Sequence, residues 1–358
     1  MKKLRLGLLV LSNSWGGAEE SIYNMAKNID KKEFAVSLLV NEFLCDRYKD
    51  IRSVSVVNLG RLESNKKIQK VYTLIKIRSR LFESVKKYRI EIIHARLENS
   101  LILLGTMLNK PSVPLVFTLC GDETKIYHNP KTLEQKLIRM FLNRMLKDND
   151  VTVTSVSNWL VKDFDKENKT KIKVISNGVD INKFRPLKLR RFNKSILFVG
   201  RYVEGKGIED LLKVARQLKN YKFIFAGKGP LVSLLKLENT KDIGFQRRES
   251  LIKLYSQVTL CTFPSYSEGM PMVGLEAMAC GTPVVASYVG FGEYIDNRVD
   301  GLIIEPGNII QLKRAILKLM ENSNLRKRLG KNARKKALKY DIKRVVLKYQ
   351  DLYREVAK

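Results

Sequence analysis

The sequence predicts an α/β protein made of two doubly wound parallel sheets. Short apolar runs recur between longer segments of helical period, the alternation that a parallel sheet with crossover helices produces. At 358 residues, 44% of them hydrophobic, the chain is long for one domain and large enough for two with separate cores. Between 177 and 195 the stretch NGVDINKFRPLKLRRFNKS replaces the periodic pattern with turn residues and charge, which marks a changeover.

Taken in order, the strand candidates of the first half are residues 6–11, 35–40, 90–94, 115–119, 151–156 and 173–175. Those of the second half are 195–199, 221–226, 260–263, 282–286 and 301–304. Helical period runs from about 310 to the end. The predicted domains are 1–186 and 187–341, with the last helix, 342–358, packing back on the first. The opening MKKLRLGLLVL has a basic start like a signal peptide, but its apolar run is shorter than the usual 7 or so residues at least, so it reads as a first buried strand. No stretch reaches the roughly 18 apolar residues that span a bilayer, so membrane contact is expected to be peripheral. Two open sheets facing across a cleft bind ligands at the carboxyl ends of their strands, which places the chemistry between the halves.

Lys and Arg number 67 against 36 Asp and Glu, a net charge of +31 that favours anionic partners: nucleic acid, an acidic membrane face or phosphorylated substrates. Cys45, Cys120, Cys261 and Cys280 form no CxxC pair and no cluster with the two histidines, so neither a disulfide framework nor a zinc site is indicated, and a reducing cytoplasm fits. Asp148-Asn149-Asp150 reads as a turn rather than a metal site.

Several loops carry chemistry. After strand one, Ser14 to Glu19 (SWGGAE) is a glycine turn into a helix, where the backbone can approach an anion closely; it reads equally well as a plain tight turn. VGRYVEGKG at 199–207 sets Arg201 and Lys206 around a glycine-rich strand-to-helix turn, where two cations can grip a diphosphate. AGKGPL at 226–231 is a similar junction, read as structural. In PSYSEGMPMVGLEAMACGTPVVAS, Pro271 is expected to open a short helix and Cys280-Gly281 to stop it. Glu268 then lies just before the helix and Glu276 inside it, where both carboxylates can accept from hydroxyls of one ligand while the helix N-terminus holds an anionic group. A sugar nucleotide has this shape. In the alternative reading Glu268 complements the helix dipole and Glu276 pairs with a basic neighbour.

In this order and spacing, GGAE, SVSNWL, NGVDINKFRP, VGRYVEGKG, AGKGPL and the Glu-x7-Glu block resemble glycosyltransferase family 4, retaining enzymes of the GT-B fold. The resemblance implies metal-independent transfer with no cofactor, from a nucleotide-sugar donor, most often a UDP-sugar, to a glycan or lipid-linked acceptor in cell-surface polysaccharide synthesis. It assigns the diphosphate to Arg201 and Lys206, with Gly200 in the same turn, and the ribose hydroxyls to Glu276. Glu268 would contact the donor sugar with the backbone of Gly269, Met270, Met272 and Val273; Gly244, Phe245 and Gln246 would lie near the base; Gly16 and Gly17 would close over the phosphates. Cys120 stands where the family usually has a catalytic histidine, so the acceptor side is expected to be altered, a thiol being a weaker hydrogen-bond partner than imidazole. His94 matches the first histidine of the family's His-Ala-His and Arg96 replaces the second; Glu293 is retained in a shorter loop. Two other readings use the same features differently: a GT-B sugar-nucleotide epimerase or hydrolase, and a basic nucleic-acid-binding protein, against which stands the lack of any nucleic-acid motif.

The excess charge has its own reading. Residues 66–88 place Ile68, Val71, Tyr72, Ile75, Phe82 and Val85 on one face among lysines and arginines, and 313–348 hold 14 basic and two acidic residues. Both are candidates for peripheral attachment to an anionic inner leaflet; the apolar face of 66–88 equally fits packing on the sheet, which is the commoner case.

Overall fold

The structure, a computed structural model, describes residues 2–62, 67–105, 113–121, 129–164 and 166–358. Strands in the first half are β1 (Leu4–Val10), β2 (Phe34–Val40), β3 (Val54–Asn58), β4 (Ile92–Arg96), β5 (Leu115–Leu119), β6 (Val151–Ser155) and β7 (Lys173–Val174). Between them run α1 (Gly17–Asn28), α2 (Glu42–Tyr48), α3 (Lys67–Lys87), α4 (Glu98–Gly105), α5 (Leu133–Leu146), α6 (Asn158–Val161) and α7 (Lys166–Lys171). The second half has β8 (Ser195–Val199), β9 (Lys222–Ala226), β10 (Thr240–Asp242), β11 (Leu260–Phe263), β12 (Val284–Ser287) and β13 (Leu302–Ile304). Its helices are α8 (Ile208–Gln217), α9 (Arg248–Gln257), α10 (Met272–Ala279), α11 (Ile309–Glu321) and α12 (Ser323–Ala337), and the chain finishes with α13 (Ile342–Val356).

Two compact units result, residues 1–176 with 342–358, and 177–341. Each is an all-parallel sheet wound in both directions: β3-β2-β1-β4-β5-β6-β7 in the first and β10-β9-β8-β11-β12-β13 in the second. The division falls ten residues before the changeover expected at 186/187. Residues 177–186 belong to the second unit because its groups hold them there: Arg334 donates to the carbonyls of Ile181, Phe184 and Ala279, and Phe184 packs on Tyr255.

Two strands that the sequence did not announce, β3 and β10, are the outermost strands at matching edges of the two sheets. An edge strand pairs on one side only and buries little, so β10 reads simply as Thr-Lys-Asp with no apolar run to reveal it.

In the first unit the sheet is covered on both faces. Leu74, Ile77 and Leu81 of α3, Leu101 and Leu104 of α4, and Ile138, Phe141, Leu142 and Met145 of α5 form one core. On the other side Ile22 and Met25 of α1, Leu44 and Tyr48 of α2, and Val345, Tyr349, Leu352 and Tyr353 of α13 form another. The buried face of α3 is therefore the one through Leu74, Ile77 and Leu81, and not the one through Ile75, which is 57% exposed. The side chains of Ile68, Val71 and Tyr72 lie outside the described residues. Of the apolar residues that suggested a membrane helix at 66–88, Phe82 and Val85 pack against this core.

α13 is fastened to the first sheet by a buried polar chain. The His94 Nδ1 meets the Tyr353 hydroxyl at 2.5 Å and its Nε2 meets the Thr118 hydroxyl at 2.7 Å, which in turn meets Thr154 at 2.6 Å. Beside it the fully buried Arg96 donates to the hydroxyls of Ser21 and Tyr349 and lies over the Tyr349 ring. His94 is thus a strand residue satisfied by its own unit. Burial holds its imidazole well below the ordinary 6.5, with the Arg96 charge acting the same way. The unfolded chain therefore takes up this proton first, and stability falls as pH drops below about 6.5. Urea unfolding of the wild type between pH 7.5 and 5.5 should lose more stability than that of His94→Asn, and parallel losses would refute this role.

Candidate active site

In a sheet of this order the winding reverses between the parallel neighbours β8 and β11, and the loops leaving their carboxyl ends open a crevice there. Those two loops carry the sequence-predicted cations and carboxylates. The β8 loop runs Gly200 to Gly207 and the β11 loop runs Pro264 to Pro271.

The loops are bound to each other. Lys206 Nζ donates to Glu268 Oε1 at 2.6 Å, both side chains being less than one-fifth exposed. The Tyr266 amide donates to the Gly205 carbonyl at 2.8 Å, and the Tyr266 hydroxyl to Asp210 of α8 at 2.6 Å. Gly207, the N-cap of α8, has φ +71°, and a Cβ there would lie 2.1 Å from the Pro264 carbonyl oxygen. Only glycine fits both demands.

The eight-residue α10 follows. Pro271 is its N-cap, φ −71° and ψ 124°, one position earlier than the first-turn place expected for it. Gly281, at φ +71°, lies just past Cys280 and ends the helix in the left-handed conformation. Among the described residues the amides of Met270, Met272, Val273 and Gly274 have no hydrogen-bond partner, so the helix start presents a row of free donors beside Glu268. Asn177 anchors the approach by donating Nδ2 to the Met270 carbonyl at 2.9 Å. The Tyr294 hydroxyl donates to the Pro271 carbonyl at 2.7 Å and faces the Leu275 amide, standing where a first-turn helical bond would close. A Cβ on Gly274 would lie 2.2 Å from that hydroxyl, which is why a glycine sits inside a helix here.

Glu276 is buried on α10, its Oε2 accepting from the Tyr255 hydroxyl of α9 at 3.0 Å. Burial pushes its carboxyl up to about 7, against the pull of the Tyr255 hydrogen bond and the Arg248 charge. A basic neighbour does act on Glu276, as the alternative reading held, but the hydrogen bond comes from a tyrosine. Neither Tyr255, Arg248 nor Tyr294 was picked out by sequence reasoning; Tyr294 alone had a signal, lying next to Glu293 in VGFGEYI.

The remaining residues fall as follows. Arg201 is exposed and makes no hydrogen bond or ion pair among the described residues, so Lys206 is tied to Glu268 while Arg201 is available to a ligand. Gly200 donates its amide to the Ala226 carbonyl. Gly244 has φ +65° and closes on Asp242, which also accepts from Tyr202; Phe245 beside it is exposed with Lys228 over its ring, and Gln246 turns back to the Ile243 carbonyl. In the 226–231 turn, read as structural, the Lys228 carbonyl accepts from the Tyr202 amide. Glu293 lies in a single helical turn, 291–293. Gly16, Gly17 and Cys120 belong to the first unit, at the carboxyl ends of β1 and β5, so the grouping above is complete within the second unit without them. Gly16 caps α1, its amide bonded to Glu19, and the half-buried Cys120 thiol donates to the Thr118 carbonyl and hydrogen-bonds Arg96. Asp148 accepts from the Asp150 amide, forming the turn between α5 and β6.

Two doubly wound units, one with cations, carboxylates and a free helix start at its switch point, define a GT-B glycosyltransferase fold. Residues 15–183 match the family described as Glycosyltransferase Family 4 and residues 180–336 the one described as Glycosyl transferases group 1. The chain belongs to this glycosyltransferase family. It is 29% identical over 350 residues, 96% of this chain and 95% of the other, to an uncharacterized glycosyltransferase of Methanocaldococcus jannaschii. Over 212 residues, 54% of this chain and 56% of the other, it is 31% identical to the N,N'-diacetylbacillosaminyl-diphospho-undecaprenol alpha-1,3-N-acetylgalactosaminyltransferase of Campylobacter jejuni. In fold it is similar to Anabaena HepE, solved in complex with UDP-glucose: TM-score 0.81, 21% identity, 98% of this chain and 100% of the other.

Two outcomes follow from the geometry. Because the folded chain keeps a proton on Glu276 that the unfolded chain releases above about 4.5, this group costs stability as pH rises through about 7. Glu276→Gln should therefore be more stable than wild type at pH 8, by on the order of 2 kcal/mol, with the gain shrinking at pH 5; calorimetry at the two pH values checks it, and a loss at pH 8 would contradict it. Gly274→Ala should unfold at least 2 kcal/mol more easily through overpacking, read from urea midpoints.

Proposed function

We propose that the second unit binds the donor, a UDP-sugar, and that the protein transfers its sugar with retention of anomeric configuration, without a metal, to a glycan or lipid-linked acceptor of cell-surface polysaccharide. The observation that carries this is the convergence of Lys206, Glu268, Glu276 and the free amides at the start of α10 on one switch point. A departing diphosphate needs positive charge fixed in place before it leaves, and a row of unpaired amides with Arg201 and Lys206 supplies it. Lys206 reaches both roles by holding Glu268, which then accepts from the donor sugar's hydroxyls. Glu276 is kept as a buried carboxylate at a cost; holding the ribose hydroxyls with Oε1 is the task that fits, its Oε2 already serving Tyr255.

In transfer, the acceptor oxygen bonds to the anomeric carbon as that carbon's bond to the diphosphate breaks, and the acceptor proton passes to a phosphate oxygen. The choice of UDP is supported by the likeness to HepE, whose structure holds UDP-glucose, and that of a lipid-linked acceptor by the Campylobacter relative, which is named for a sugar carried on diphospho-undecaprenol. The action is placed on the cytoplasmic side of the membrane, where nucleotide sugars are available.

A panel of UDP-, GDP- and ADP-sugars should give thermal stabilisation with UDP-sugars, about 2.7 kcal/mol at 100 times the dissociation constant. Lys206→Ala and Arg201→Ala should each lower kcat at least a hundredfold, while EDTA leaves turnover unchanged. Sugar release that proceeds equally without acceptor would identify a hydrolase instead, and inverted product by NMR would overturn retention.

A further inference from the structure

The first unit carries a surface that the donor site does not use. α5 starts at a well-formed cap, where Thr132 accepts from the Gln135 amide and Gln135 reaches back to the Thr132 amide, so its first residue has a fixed position. One face of α5 is core: Ile138, Phe141, Leu142 and Met145 are buried. The opposite face is apolar too. Leu133 is 76% exposed, Leu137 41% and Met140 52%.

At 3.6 residues per turn these three positions, with Arg144, lie within about 60° of arc, and Lys136 and Lys147 lie beside them. All three cations are exposed. No exposed side chain described on α5 is acidic. α3, packed on the same side of the sheet, adds the exposed Ile75, Lys76, Arg80, Lys86 and Lys87, against one exposed acid, Glu83.

We infer that this α3–α5 side of the first unit docks on a bilayer containing anionic lipid, with Leu133, Leu137 and Met140 entering the headgroup region and Lys136, Arg144 and Lys147 meeting lipid phosphates. The charge pattern selects lipid over a protein partner. Long cations along one flank and at the C-terminal end of a small apolar stripe match an interface that is apolar at depth and negative at its surface, and their stems can lie along the apolar surface while their heads reach the phosphates. Three side chains are a small anchor, so binding depends on the anionic lipid as well. Among the described residues no helix is long and apolar enough to cross a membrane, and surface docking needs none. The inference stands on this surface alone and is independent of the transfer reading.

Flotation of the full chain with vesicles tests it. The protein should float with vesicles of one part phosphatidylglycerol to three parts phosphatidylcholine at low salt, and should leave them as salt is raised. It should not float with phosphatidylcholine alone. Leu133→Ser/Leu137→Ser/Met140→Ser should lower the partition coefficient at least tenfold. Lys136→Glu/Arg144→Glu/Lys147→Glu should lower it at least a hundredfold, about fivefold for each cation lost. Both triples change exposed side chains only, so unchanged melting temperature and unchanged donor-induced stabilisation show that the fold is intact. Failure of the wild type to float, equal flotation with neutral vesicles, or two triples that float like the wild type would each overturn the inference.

Discussion

The second unit is organised around the contact between Lys206 and Glu268, 2.6 Å apart and mostly shielded from water. Each belongs to a different loop, and the sheet order puts those loops on either side of the point where winding reverses. A shielded ion pair is weak support for stability, because desolvation offsets much of its attraction. Its value here is positional: it fixes a carboxylate and a cation relative to the start of α10, and the Gly207–Pro264 approach fixes the backbones beneath them. Rigid charges of this kind need not reorganise when charge develops on a ligand.

The same unit tolerates local costs at the same place. Glu276 is a carboxyl group that burial pushes up to about 7, Gly274 weakens a short helix, and α10 begins with unpaired amides. Tyr294 explains the glycine, because its hydroxyl occupies the space that a side chain at 274 would take, and at the Leu275 amide it stands in for a first-turn hydrogen bond. Concentrated local expense of this sort is what a binding site looks like in a fold that is otherwise regular.

The first unit has a different character. Its polar residues at the ends of β4 and β5, His94, Arg96 and Thr118, are turned to each other and to α13. They fasten the last helix of the chain to a sheet begun more than three hundred residues earlier, as the Tyr353–His94 pair illustrates with a separation of 259 positions. Among the described residues the Arg96 guanidinium meets two hydroxyls, an aromatic face and the Cys120 thiol. Where the family's usual pattern has histidines at 96 and 120, this chain has a guanidinium and a thiol in contact.

What the sequence determined by itself was periodic or local. Apolar runs located the inner strands and the edge strands β7 and β13, and the Glu-x7-Glu block located the short helix with one carboxylate ahead of it and one inside it, since a proline start and a glycine stop are written in the same segment. It missed β10, Thr-Lys-Asp, because an edge strand needs little apolar surface, and it passed over the short alternating run VSVVN of β3; it rotated the buried face of α3 because periodicity cannot tell which of two apolar stripes meets the sheet. Tertiary structure alone decided that Lys206 binds Glu268 while Arg201 stays exposed, that Glu276 sits between Tyr255 and Arg248, and that residues 177–186 belong to the second unit. Each of these depends on groups brought together from distant parts of the chain, and distance in sequence carries no record of distance in space.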